Sequence, residues 1–227
     1  MLEKIAKFIK DLMEWFIPLE DLAGKNNMDR EALPKHLQWM KEAYFKAESN
    51  GKFDNALDVI ANEFVKYQTR YKVVSHLAGG IPAEVVCAIH AMECSLAWSR
   101  ILHNGERISD VNKRGTKLHP KGIGKGKHWS WEVAAIDALK RHAHYYPDEW
   151  NIVGTLNFLE RYNGLGYRKY HPSVKSPYLW SGTQFYDSGK YTERKNPITG
   201  KVKSFFDYKL VSKQVGCVLI LKKLKAF

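Results

Sequence analysis

The chain has 227 residues, 44% of them hydrophobic and 26% charged, with 36 Lys and Arg against 24 Asp and Glu for a formal charge of +12. This composition excludes disordered, collagenous and coiled-coil chains and supports a buried core, while no run approaches the ~20 apolar residues of a membrane-spanning helix. The N-terminus shows no basic lead, apolar stretch and cleavage site in series, so synthesis in the cytoplasm without a signal peptide is expected, and Cys87, Cys94 and Cys217 are too few for a disulfide framework.

Leu2, Ile5, Phe8, Ile9, Leu12, Met13 and Phe16 recur at helical spacing and stop before Pro18. They predict an amphipathic helix that docks on the rest of the protein or, given Lys4, Lys7 and Lys10, on a lipid surface. Helical patterning continues from Asp29 to about Val74, with a turn at Asn50-Gly51 and Asp54 as the predicted cap of the segment through Leu57, Ile60 and Phe64. Gly79-Gly80 is the predicted boundary between a helical N-terminal region, residues 1–78, expected to be a packing or binding domain, and a second domain, residues 79–227. Pro82 stands where a helix tolerates proline. From Pro82 to about Leu102 the residues Val85, Val86, Ile89, Met92, Leu96 and Trp98 predict the central buried helix. A flexible Lys- and Gly-rich loop is expected over 104–128. Helices follow from Ser130 through Leu139, from about Ile152 to Tyr162 and from about Ser212 to Leu224, with loops or a small hairpin over 178–208. The expected fold class is mainly α with little strand.

The positive charge is unevenly spread. Residues 1–78 hold 12 basic and 12 acidic side chains, whereas residues 151–227 hold 14 basic and 4 acidic. The loop carries Lys113, Arg114, Lys117, Lys121, Lys125 and Lys127 with no acid between Val111 and His128. Such asymmetry points to a polyanionic partner: nucleic acid, an anionic membrane, or a bacterial wall or outer membrane with its carboxylates and phosphates. Gly122, Gly124 and Gly126 alternate with lysines, but no strand precedes them and no Gly-Lys-Ser/Thr ending follows, so they are not a nucleotide cradle. His142 and His144 point apart on a helix and lack a completing set of ligands, so no metal and no cofactor are expected.

Glu93 carries the most information. A carboxyl in an apolar helix is costly to bury charged, so its pKa should rise toward neutrality, the property of a general acid. His90, one turn earlier, either hydrogen-bonds or flanks it. Downstream stand Arg161-Tyr162-Asn163-Gly164 and Ser176-Pro177-Tyr178-Leu179-Trp180-Ser181-Gly182. Glu93 followed by Ser95, together with Tyr162-Asn163-Gly164, resembles the lysozyme-like superfamily, nearest the goose-type lysozymes, the soluble lytic transglycosylases and phage lysozyme-like endolysins. The resemblance covers about residues 80–224. It departs from the transglycosylase pattern because Cys94 intervenes before Ser95 and no Gly-Leu-Met-Gln motif occurs.

The resemblance implies a lysozyme-like helical catalytic domain that cleaves peptidoglycan between N-acetylmuramic acid and N-acetylglucosamine, as a bacteriolytic endolysin acting on the wall after release. It implies Glu93 as the acid and Tyr162 as a cleft residue beside it. His90, Ser95 and Asn163 would line the substrate cleft, with Tyr178 and Trp180 as saccharide contacts. Glycoside hydrolysis usually needs a second carboxylate, for which Glu106 and Asp110 are the candidates. Should neither act, closure of the substrate's 6-hydroxyl on the anomeric carbon would make the enzyme a lytic transglycosylase. Peptidoglycan and anionic wall polymers are the expected partners, no nucleic acid is expected, and a monomer suffices. The alternative of another class is a non-catalytic basic module binding wall polymer or nucleic acid.

Overall fold

A computed structural model of the chain describes residues 33–195 and 202–226. The helix expected over Leu2–Phe16 lies outside the described residues. Three helices come first, α1 (Lys35–Lys46), α2 (Asp54–Lys66) and α3 (Gln68–Leu77), followed by α4 (Ala83–Cys94) and the short α5 (Ile108–Arg114). Then come α6 (Trp131–Lys140), a 3-10 turn at Ala143–Tyr145, α7 (Ile152–Asn163), α8 (Gly166–Tyr170) and α9 (Pro177–Trp180). A hairpin of β1 (Lys190–Lys195) and β2 (Val202–Asp207) precedes α10 (Cys217–Lys223). The strands pair antiparallel from Lys190 opposite Asp207 to Lys195 opposite Val202. The fold is mainly helical, with this hairpin as the one sheet among the described residues.

Helix α4 is apolar on nearly every side, and Val85, Val86, Cys87, Ala88, Ile89 and His90 are all fully buried. Such a helix must be enclosed by neighbours. Here α3 and α10 pack against it, α2 touches both α4 and α10, and α9 bridges α10 to α7. Residues 40–78 and 79–221 contribute to one continuous core, from Met40, Tyr44, Phe64 and Tyr71 through Ile89 to Leu156, Trp180 and Ile220. The expected division at residues 78 and 79 is therefore corrected: the compact unit begins at Pro34, and Gly79 and Gly80, both at positive φ, form a tight turn between two packed helices.

Local chemistry sets several ends differently from expectation. Helix α4 stops at Cys94 rather than near Leu102, because Ser95 and Leu96 both take left-handed backbone with φ of 50° and 62°. The Ser95 and Leu96 N–H groups then satisfy the carbonyls of Ala91 and His90. Asp54 does not cap α2; it lies in the first turn and its Oδ1 accepts a hydrogen bond from Ser49 at 2.7 Å, with Phe53 at the cap position. The final helix begins at Cys217, not Ser212. The basic loop is not loose. Asn112 ties both backbone groups of Trp129, and Thr116 and Ile123 close an inner turn, with α5 formed inside the segment.

Candidate functional site

Glu93 is the penultimate residue of α4, and the elements around its carboxyl come from three distant parts of the chain. The left-handed turn at Ser95 reverses the backbone, the Cys94 thiol donates to the Ile101 carbonyl at 3.2 Å, and the chain returns past Gly105. Gly105 sits at φ +73°, and a Cβ there would stand 3.0 Å from the Glu93 carbonyl oxygen, so only glycine brings the returning loop this close. The last turn of α7 supplies Tyr162, whose hydroxyl donates to the Leu102 carbonyl at 3.2 Å. The short helix α9, started by Pro177 where proline is favoured, supplies Tyr178, and α10 begins beside them at Cys217.

The electrostatics follow from that enclosure. Glu93 is half-buried, and burial pushes its carboxyl up to about 7, against a smaller opposite pull from the Tyr178 hydroxyl. Tyr178 faces the carboxyl without reaching the geometry of a formed hydrogen bond. Burial, and the charge of Glu93, hold the Tyr162 and Tyr178 hydroxyls well above their ordinary range, so both stay neutral beside the acid. The His142 ring lies tilted against Tyr162 with ring centroids 4.5 Å apart. His103, three residues before Glu106, bonds Asp137 through Nε2 at 2.8 Å and lies parallel to Trp129. Burial pushes the pKa of both histidines down, which keeps the rings neutral.

The remaining expected residues divide. His90 does not flank Glu93. It is fully buried, its Nδ1 pairs with the Tyr71 hydroxyl at 3.0 Å, and its ring sits 4.6 Å from those of both Trp98 and Trp131. Burial lowers its pKa to about 4, so it is a neutral core histidine. Trp180 is 1% exposed and packs on Trp39 and Phe185, so it cannot touch a saccharide. Tyr178, only 7% exposed, meets the acid rather than offering a sugar-stacking face. Ser95 is exposed and borders an apolar groove of about 340 Å³ with Phe53, Val59, Met92 and Leu96. Asn163 is exposed at the end of α7.

Neither candidate for a second carboxylate is a free base. Glu106 accepts backbone N–H groups from Lys117 and Leu118 at 2.8 Å each and pairs with Arg114 at 3.2 Å. Burial alone would raise its pKa, but these donors outweigh it and hold the carboxyl below its ordinary range. Its work is to close the basic loop. Asp110 is exposed, with Arg114 at 3.9 Å. Among the described residues no cluster of three His, Cys, Asp or Glu is close enough to hold a metal.

Compared with family models, curated proteins and solved structures, the chain matches none. The site therefore stands on its own geometry: a half-buried carboxyl pushed up to about 7, two neutral tyrosines beside it, and a glycine-permitted loop over its backbone. Cys217 and His142 escaped sequence reasoning as neighbours of this site. Nothing in their local sequence marks them, because Cys217 comes near the carboxyl, and His142 near Tyr162, only through tertiary packing.

Proposed function

We propose that the protein cleaves the glycan strands of peptidoglycan at the bond between N-acetylmuramic acid and N-acetylglucosamine, with Glu93 as general acid. The observation that carries this reading is the Glu93 carboxyl itself. A carboxyl with a pKa near 7 is about half protonated at neutral pH, and Glu93, half-buried rather than sealed in the core, keeps part of its surface at solvent. Glu93 delivers its proton to the glycosidic oxygen as the bond to the anomeric carbon breaks. Tyr178, a neutral hydroxyl with no other acceptor, steadies the carboxylate left behind, while Tyr162, whose proton goes to the Leu102 carbonyl, packs beside it. The short lysozyme-like motifs around Glu93 and Tyr162 support the same reading. Lys113, Lys117, Lys121, Lys125 and Lys127 all stand exposed, and in this reading they hold the enzyme to the anionic wall it meets after release.

The engagement of Glu106 with its loop favours one subtype. With that carboxylate occupied, the same Glu93 that gave the proton takes one back from the substrate's 6-hydroxyl, whose oxygen closes on the anomeric carbon. The product is a 1,6-anhydro end and the acid is regenerated, the outcome of a lytic transglycosylase. Hydrolysis by water gives a reducing end instead.

Glu93→Gln tests the function, since it keeps the shape and removes the proton. Lysis of purified sacculi should fall by at least about 100-fold, and undiminished lysis refutes the mechanism. Mass spectra of the wild-type products separate 1,6-anhydro from reducing ends.

A further inference from the structure

We propose that a second pocket, between residues 98–109 and the start of α6, is an oxyanion site that takes a carboxylate of the peptide stems carried by the glycan. It deepens the function proposed above and rests on it for the identity of the ligand. The pocket has a volume of about 530 Å³, and its walls include Trp98, Arg100, Arg107, Ser109, Ser130 and Trp131, with no acid among them.

The arginines supply the first argument. Arg100 and Arg107 pair across an isolated antiparallel bridge, which sets two like charges side by side, an arrangement that is unfavourable unless something offsets it. Nearby cations are offset: Arg70 by Glu132 at 2.5 Å, and Arg114 by Glu106 at 3.2 Å. Arg100 and Arg107 form no ion pair among the described residues. Arg100 donates instead to the Gly105 carbonyl, which holds its guanidinium in place. Planar guanidinium groups match a carboxylate in a two-point contact.

The indoles supply the second. Trp131 is 2% exposed, yet its indole N–H has no acceptor, and a buried donor without one is rare in a folded protein. Trp131 backs Trp98 edge to face at 4.5 Å, and the half-buried Trp98 gives the pocket an apolar edge beside its cations. Alkyl side chains next to a carboxylate fit that edge, as in a short peptide, whereas a glycerol phosphate chain offers it nothing apolar. The loop that forms the pocket also carries Gly105 against the Glu93 backbone, so one chain reversal serves both sites.

The test uses the full chain and its arginine variants. Arg107 is exposed and makes no side-chain bond, so Arg107→Gln leaves the fold intact; Arg100→Gln is the second variant. Tryptophan fluorescence should show saturable binding of N-acetylmuramoyl-L-alanyl-D-isoglutamine, weakened about tenfold or more by either substitution, as expected for losing a charge-assisted contact. Glycerol phosphate should not compete. On peptide-bearing glycan Arg107→Gln should raise KM by a similar factor with kcat unchanged, and on glycan stripped of its peptides it should change neither. Failure of the muramoyl peptide to bind, binding indifferent to both arginines, or preference for glycerol phosphate overturns the site. Arginine-dependent binding without turnover of either glycan supports the site while refuting the function, whereas turnover with no peptide binding refutes the site alone.

Discussion

Replacing Glu93 by Gln should make the protein more stable at alkaline pH even as it removes activity. The wild-type carboxyl titrates at about 7 in the fold against an ordinary value of 4.5. That difference corresponds to about 3 kcal/mol of preference for the protonated form, an upper value given the partial exposure of the side chain. A raised pKa means that folding favours the proton. The associated stability is fully present below about pH 4.5 and is lost as the pH rises through 7. Glutamine mimics the protonated acid and does not titrate. The two proteins should therefore be nearly equal in stability at pH 4, and the variant should gain progressively, levelling at about 2 to 3 kcal/mol above pH 8. Other titrating groups, Glu160 included, are common to both and cancel in the difference. Urea denaturation of both proteins at pH 4, 6, 7, 8 and 9 measures this directly. A difference independent of pH, or a variant less stable than wild type at pH 8, would refute the argument that burial perturbs this carboxyl. For the same reason kcat should fall as the pH rises above 7, where the acid loses its proton.

Glu106→Gln should cost about 1 to 3 kcal/mol, read as a lower melting temperature, because the Lys117 and Leu118 N–H groups and Arg114 lose a charged acceptor. Its kcat should stay within about tenfold of wild type; a loss as deep as that of Glu93→Gln would restore Glu106 as a catalytic carboxylate. Glu160 is 6% exposed and meets Arg168 at 3.4 Å, so Arg168→Met should destabilise by about 2 to 4 kcal/mol at pH 8. Burial raises the pKa of Glu160, so this loss should shrink toward pH 4, where the carboxyl takes up a proton. Gly182→Ala should cost more than about 1 kcal/mol, since φ is +88° and a Cβ would stand 2.7 Å from the Phe53 ring; a melting temperature equal to wild type would contradict this. Salt should weaken lysis of sacculi far more than cleavage of a short soluble glycan, because screening acts on the long-range attraction of exposed lysines.

Much of the fold is legible in the periodicity of the chain. The apolar run over Val85, Val86 and Ile89 has to be a buried helix, and the spacing through Leu57, Ile60 and Phe64 makes a helix with one core face. The tyrosine- and turn-rich tail yields the hairpin whose strands are Lys190–Lys195 and Val202–Asp207. What periodicity misses is where a helix stops: the left-handed backbone at Ser95 and Leu96 comes from no glycine, and the apolar pattern runs on past it to Trp98. Periodicity also assigns no partner to a face. His90 and Glu93 lie one turn apart, yet one enters the aromatic core against Tyr71 and the other meets Tyr162 and Tyr178.

By itself, the sequence determined the helical class, the buried central helix and the cost of placing a carboxylate in it, because these follow from local spacing and from the chemistry of one side chain. Tertiary structure alone decided which groups share the site. It turned Glu106 toward its own loop, buried Trp180 in the core, joined residues 34–78 to the rest, and left Arg100 and Arg107 side by side without an acid. The physical reason is that hydrogen bonds and charge pairs act over a few ångströms, and the residues within that reach of Glu93 come from positions up to 124 apart in the chain.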